Sequence, residues 1–368
     1  MAFSATVHSR SPLLPGGRPD ITMDAKPPKT LVFDEDGDTL IILPYFTSTT
    51  EAADGQKPSP KVDESGEKQP ADDTLETVHM KVSKKHLMLA SRRAQKLFLG
   101  PWKETESQGT DGLHHWLFEP FFTPEAFEIV LNIIHGHTKM VPTKIGLATL
   151  ADIAAVVDDL QCEDAVWFIV KSWIRLLEKR LPESICENLV RWILISSVFD
   201  EPSIFEHCTQ VAIRFTCKQL DTTGLPIRPS IIDGMEAQRI ALLDGMVAHL
   251  EDQRDRLIRG TLGCHFNCRS SYLGALIQGM HSTGILPILD VDSPKVDPSK
   301  APHRGLSVQS AMATISGIQF PEVYTRSEFF VSGHPELHTC HLKKSLELHL
   351  EAVGKGIRGL NLDEFVRI

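Results

Sequence analysis

Five residues in the last third of the chain have the types and spacing of soft-metal ligands. They are Cys264 and Cys268 in GTLGCHFNC, and His338, Cys340 and His341 in HPELHTCHLKK. Zinc is held tetrahedrally by thiolate sulfur and imidazole nitrogen, and a Cys-x3-Cys pair falls within the spacing that such sites use. Four ligands gathered from these two places would fill every position, so the expected site is structural and keeps no place for an activated water. The alternative is that these cysteines are small apolar side chains of a reduced core. Spacing leaves open which of the two histidines would join them.

Catalytic uses of the same residues meet specific obstacles. His334-Pro335-Glu336 matches the first half of a zinc-deaminase signature, but the downstream Pro-Cys-x-x-Cys is missing. His334 and His338 do not form His-Glu-x-x-His, because the Glu is misplaced and Pro335 opposes a continuous helix. The chain has no Gly-x-Ser-x-Gly elbow, no phosphate-cradling Gly-x4-Gly-Lys-Ser/Thr loop and no Gly-x-Gly-x-x-Gly after a strand. A metal-dependent hydrolase built on the carboxy-terminal His and Cys residues is the alternative from another class, and the chain is expected not to be an enzyme. His114-His115 should project to opposite faces of a strand, and His135-Gly136-His137 falls at a helix end suited to charge; surface or capping roles are expected for both pairs.

The elements that must position these residues belong to an ordinary soluble composition. Hydrophobic residues make up 42% and charged residues 23% of 368 residues, a length that suggests two ordered domains. The net charge of −10 is concentrated: Glu51 to Glu76 holds eight acidic residues and three lysines. An acidic chain gains little from a phosphate backbone, so no nucleic-acid partner is expected, and the Cys-x3-Cys pair lacks a downstream His-x3–5-His at finger spacing. The first residues lack a continuous apolar core, and no apolar run approaches the ~20 residues that span a bilayer. Seven spread cysteines without an export signal point to reduced thiols, in cytoplasm or nucleus, with no membrane partner.

Along the chain, residues 1–29 are expected as a disordered tail. TLVFDEDGDTLIIL sets two apolar runs around Asp36-Gly37 and predicts a first hairpin or a paired strand edge. An acidic low-complexity insertion, 47–74, interrupts a strand-to-strand connection before LETVHMKV resumes alternation. HLMLAS is expected to send Leu87 and Leu89 inward while Ser91 caps a helix over 91–99, from which Ala94, Leu97 and Phe98 pack. A strand at HHWLFEPFF follows. Thr123-Pro124-Glu125 then opens a helix whose Phe127, Val130, Leu131 and Ile134 share a face.

Core stripes are read at Leu150, Ile153, Ala154 and Val157, then at Trp167, Val170, Ile174 and Leu177. Beyond 180 the pattern is helical: 183–199, 201–220, 230–259, 270–281, 306–316 and 341–353. Gly354-Lys355-Gly356 reads as the cap of the last helix. A Pro, Asp and Ser-rich loop, 287–305, interrupts this region.

The order strand, strand, helix, strand, paired helices, carrying GDTLIIL, VSKKHLMLASRRAQKLFLGPWKE, FFTPEAFEIVLNIIHG and LATLADIAAVVDDLQCEDAV, resembles the BTB/POZ domain, and more narrowly a large group of fungal BTB-domain proteins. The resemblance implies an α+β chain. A BTB/POZ-like α/β domain would occupy 30–175, and a mostly α-helical region 176–368, where similarity to the same group continues through GLNLDEF. It also implies a non-enzymatic protein-interaction scaffold, pairing with itself or with other proteins. In BTB adaptors of cullin-based ubiquitin ligases, a hydrophobic-x-Glu triplet after this helix touches the cullin. Trp102-Lys103-Glu104 matches it, so Trp102 and Glu104 are the expected partner-binding residues and a cullin adaptor is the alternative function. The Pro and Lys-rich segment before TLVF has no amphipathic helix of the kind that builds the swapped BTB homodimer. From the fungal group the resemblance implies Cys264, Cys268, His338 and Cys340, rather than His341, as the ligands of one structural zinc.

Overall fold

The structure is a computed structural model that describes residues 28–48, 73–100, 111–285, 301–321, 324–325, 336–337, 340 and 342–365. It is of mixed α+β type, a small four-stranded sheet followed by a mostly helical carboxy-terminal region. The sheet is built from β1 (Lys29–Val32), β2 (Thr39–Ser48), β3 (Asp73–Val82) and β4 (His114–Leu117) in the order β1-β3-β2-β4. Strands β2 and β3 are antiparallel with Ile41 opposite Met80, while β4 runs parallel to β2 and β1 parallel to β3. Alternate residues point to one face: Ile41 and Leu43, Val78, Met80 and Val82, and Trp116 are all buried there.

The Asp36-Gly37 turn therefore does not close a hairpin. Because β1 pairs in parallel with β3, β3 lies between β1 and β2, and the paired-edge reading is the one that holds. Glycine is needed at 37 because a Cβ there would stand 2.8 Å from the Val82 carbonyl oxygen.

Two short helices, α1 (Lys84–Ala90) and α2 (Arg92–Leu99), follow β3. Ser91 separates them in extended conformation, accepting the Ala94 N–H at 2.9 Å and donating to the Leu160 carbonyl at 2.5 Å. Leu87 is buried, but Leu89 is 87% exposed, against expectation. Two residues apart share a face only in a strand; in the helix that forms here they lie ~200° apart. The strand expected through Phe122 stops at Leu117, although Phe118 still donates its N–H to Ile42.

Helices α3 (Pro124–Ile134), α4 (Leu147–Leu160) and α5 (Glu163–Leu177) follow β4 and share one core with the sheet. Thr123 accepts the Ala126 N–H, Pro124 occupies the first turn, and Phe127, Val130 and Leu131 are buried. Helix α4 is buried almost all round because it lies between α3 and α6 (Glu187–Val198). In α5, Val170 and Ile174 are buried but Trp167 is 55% exposed, so it leaves the expected stripe; Trp173 fills the inward position.

The remaining helices are α7 (Pro202–Phe215), α8 (Pro229–Arg259), α9 (Phe266–Ser282), α10 (Val308–Ser316) and α11 (Leu342–Gly356). Their bounds differ from the sequence reading by up to five residues, with Pro202 opening α7 and extended Thr216 ending it. Part of the expected loop packs down: Pro302–Gly305 is a 3-10 turn whose His303 and Arg304 both bind Asp244 of α8 at 2.7 Å. Buried side chains from Phe33 to Leu362 form one connected cluster, so the sheet portion and the helical portion share a core across α4 and α6. Among the described residues no helix is long and apolar enough to cross a membrane.

Candidate metal centre

The thiols are brought together by a tight turn and two helix starts. Helix α8 ends at Gly260 with φ +76°, and Gly263 with φ +86° turns the chain again so that Cys264 sits against α9. A side chain at 263 would collide with Arg269 Cγ, 2.7 Å from the Cβ position, so glycine serves both the turn and the close approach. Cys268 lies in the first turn of α9, fully buried, and Cys340 comes two residues before the first residue of α11, its carbonyl accepting the Leu342 N–H.

The Sγ atoms of Cys264, Cys268 and Cys340 all lie within 4.8 Å of one another. Tetrahedral thiolates about ~2.3 Å from zinc stand ~3.8 Å apart, so small side-chain adjustments close the set around one ion. Burial raises the Cys268 thiol; a backbone hydrogen bond at Cys264 opposes this, and the neighbouring Cys340 and Cys264 thiols push it up further. Tyr272, one turn along α9, is raised by burial and then by the same three cysteines, which places its ring beside the cluster. Such crowding disfavours three thiolates unless a cation neutralises them, and a divalent ion does so. The three cysteines could hold a metal ion, and sulfur donors suit zinc.

His338, the fourth expected ligand, and His341 lie outside the described residues, as do Trp102 and Glu104. His265 Nδ1 stands 2.7 Å from Cys264 Sγ. The other cysteines play different parts: burial pushes Cys162 and Cys208 up to about 12, as befits inert core thiols.

The histidine pairs behave unevenly. His115 bonds Asp111 at 2.8 Å, a surface contact that holds the Asp111 carboxyl below its usual range. His135 caps the end of α3, the capping role expected of it, but the charge that a helix end would favour is opposed by its burial. Burial lowers its imidazole, Nδ1 faces the Leu131 carbonyl at 2.9 Å, and Nε2 accepts the Ser83 N–H at 3.1 Å. One nitrogen donates and the other accepts, so the ring is neutral.

A scan against protein-family models finds no match, and searches of curated proteins and of solved structures find none either.

The sequence reading missed an outward apolar row on α5. Phe168 is 79% and Leu176 50% exposed, and Ala165 and Ile169 complete the spacing on that side. The signal was present in AVWFIV, residues 165–170, where apolar residues run round the helix and exceed what one buried face can use.

Proposed function

We propose that the chain is a non-enzymatic protein-interaction scaffold of the BTB type, working in cytoplasm or nucleus, with a structural zinc closing its carboxy-terminal helical region. The observation that carries this reading is the set of large apolar side chains left exposed: Leu89 of α1, which shares a groove with Ala165 of α5, and Phe168 and Leu176 further along α5. Large apolar side chains clustered on a surface mark sites of protein contact. The BTB label rests on the resemblance, and the arrangement of an antiparallel β2–β3 pair, two short helices, a strand parallel to β2 and further helices agrees with it. Zinc on Cys264, Cys268 and Cys340 would tie the start of α9 to the start of α11.

The test is purification of the tagged full chain from its own host, followed by reconstitution of any enriched complex from purified components. A partner that rebinds saturably supports the scaffold reading; none that rebinds overturns it. A cullin that binds wild type and is lost in Trp102→Ala/Glu104→Ala would select the ligase-adaptor form of the same reading.

A further inference from the structure

Helices α8 and α11 meet through two imidazoles. His249 and His349 stack with ring centroids 3.7 Å apart and planes 4° from parallel, and each Nε2 is closed off from solvent with no hydrogen-bond partner. Gln253, only 2% exposed, is in the same condition: its Oε1 is buried and accepts no hydrogen bond. It follows His249 by four residues on α8, so the two side chains are neighbours on that helix. Three of the four orphaned side-chain atoms among the described residues therefore belong to this one joint. Buried polar atoms in native proteins are paired with protein, water or an ion, so the concentration of orphans here points to a ligand.

The three atoms share one chemistry. A neutral imidazole has one N–H and one bare nitrogen; neither Nδ1 is a buried orphan, so Nδ1 carries the hydrogen and Nε2 presents a lone pair. Burial lowers both imidazoles; at His249 the His349 ring and Arg256 lower it further and Asp252 opposes them, so both rings are neutral at physiological pH. Two lone-pair nitrogens and an amide oxygen are all acceptors, and a cation satisfies all three at once. We propose that His249, His349 and Gln253 form a second metal site, for a divalent d-block ion such as zinc, that joins α8 to α11. Nitrogens bound to one zinc at ~2.0–2.1 Å stand ~3.0–3.4 Å apart, slightly less than the 3.7 Å ring spacing, so a small rotation of each ring turns the stack into a chelate. Imidazole donors select zinc, nickel or copper over magnesium and calcium, which take oxygen ligands. Every donor here is neutral, so the ion is held less tightly than by the thiolates of Cys264, Cys268 and Cys340: it exchanges, and desalting removes it while the cysteine-bound zinc stays.

The test is calorimetric titration of the desalted full chain with zinc chloride at neutral pH. Wild type should take up one equivalent beyond the zinc it already holds, and should melt higher once that equivalent is bound. His249→Phe/His349→Phe, which keeps the stacked rings, should lose the added equivalent and its thermal shift. Gln253→Leu should bind it about tenfold more weakly, through the loss of one donor. Crystals of wild type soaked in zinc chloride give a readout that needs no variant: an anomalous difference peak should stand between the two rings. No added equivalent in wild type, undiminished uptake in the double variant, full affinity in Gln253→Leu, or an anomalous peak at the cysteines alone would overturn the proposal.

Discussion

Three sulfur atoms within 4.8 Å of one another, one of them fully buried, carry an electrostatic problem that a divalent cation removes. Chain purified without chelator is therefore expected to hold about one zinc per molecule by elemental analysis. Cys268→Ser should lose that zinc and melt about 5–10 °C lower than wild type, because the link between α9 and α11 is gone. Chelator should reproduce the shift in wild type and leave the variant unmoved. Cys162→Ala serves as the control, since its thiol is buried in the core away from the cluster; its zinc content should equal that of wild type. Equal zinc in Cys268→Ser and wild type would refute the site. Three of the four ligands expected from the sequence meet in space, because sulfur and imidazole donors are visible as residue types. That Cys340 meets Cys268 was expected from the donor types and from the resemblance, but no local spacing encodes it: it depends on how α8 to α11 pack.

At the scale of elements, sequence patterns predicted what lies on one side of a helix better than what lies on the other. Thr123, Ser91 and the inward faces of α3 and α4 are as the residues suggest, because capping and burial are local chemistry. Leu89 and Trp167 were misread, since their apolarity serves an outward face. The joint between β3 and α1 was also hidden, because it is closed from the end of α3 by neutral His135, which accepts the Ser83 N–H.

That joint has a pH consequence. Burial lowers His135 below the unfolded value of ~6.5, so below that pH the unfolded chain binds more protons than the folded one. Stability from this residue is full above about pH 6.5 and falls as pH drops through the folded value. The same sign holds for His249 of α8 and His349 of α11, both lowered by burial; their rings stack 3.7 Å apart, and each Nε2 is buried with no hydrogen-bond partner. Around His249, His349 and Arg256 oppose its charge and Asp252 favours it. The melting temperature should therefore decline between about pH 7.5 and about pH 5.5. His249→Phe/His349→Phe keeps the stack and should flatten that decline in a thermal-melt series, and His135→Gln should flatten it further. A slope unaltered by all three changes would place the acid sensitivity elsewhere.

Over the whole molecule, one connected core runs from the sheet to the final residues described, and the chain closes on itself through its carboxy-terminal segment. After α11, residues 357–362 lie along α7 and α8. Gln210 donates to the Ile357 carbonyl at 2.6 Å, Gln238 to that of Arg358 at 3.0 Å, and Leu360 donates its N–H to Thr209 Oγ1 at 2.9 Å. Arg228 reaches the Phe365 carbonyl, and Phe365 in turn packs near Phe205. Between these contacts Gly359 passes so close to α7 that a Cβ would overlap the Glu206 carbonyl oxygen, a helix backbone atom that cannot move aside alone. Gly359→Ala should therefore cost about 3 kcal/mol, at the upper end of overpacking penalties, and lower the melting temperature by roughly 4–5 °C. The damage should be directional: the closing segment detaches first, so limited proteolysis of the variant should cut within 357–365 before any cut appears in α7. Gly356→Ala, whose Cβ would meet nothing within 4 Å, should behave as wild type in both measurements. Equal melting of the two variants would mean that the segment is not held against α7 in solution, and the core would then end at α11.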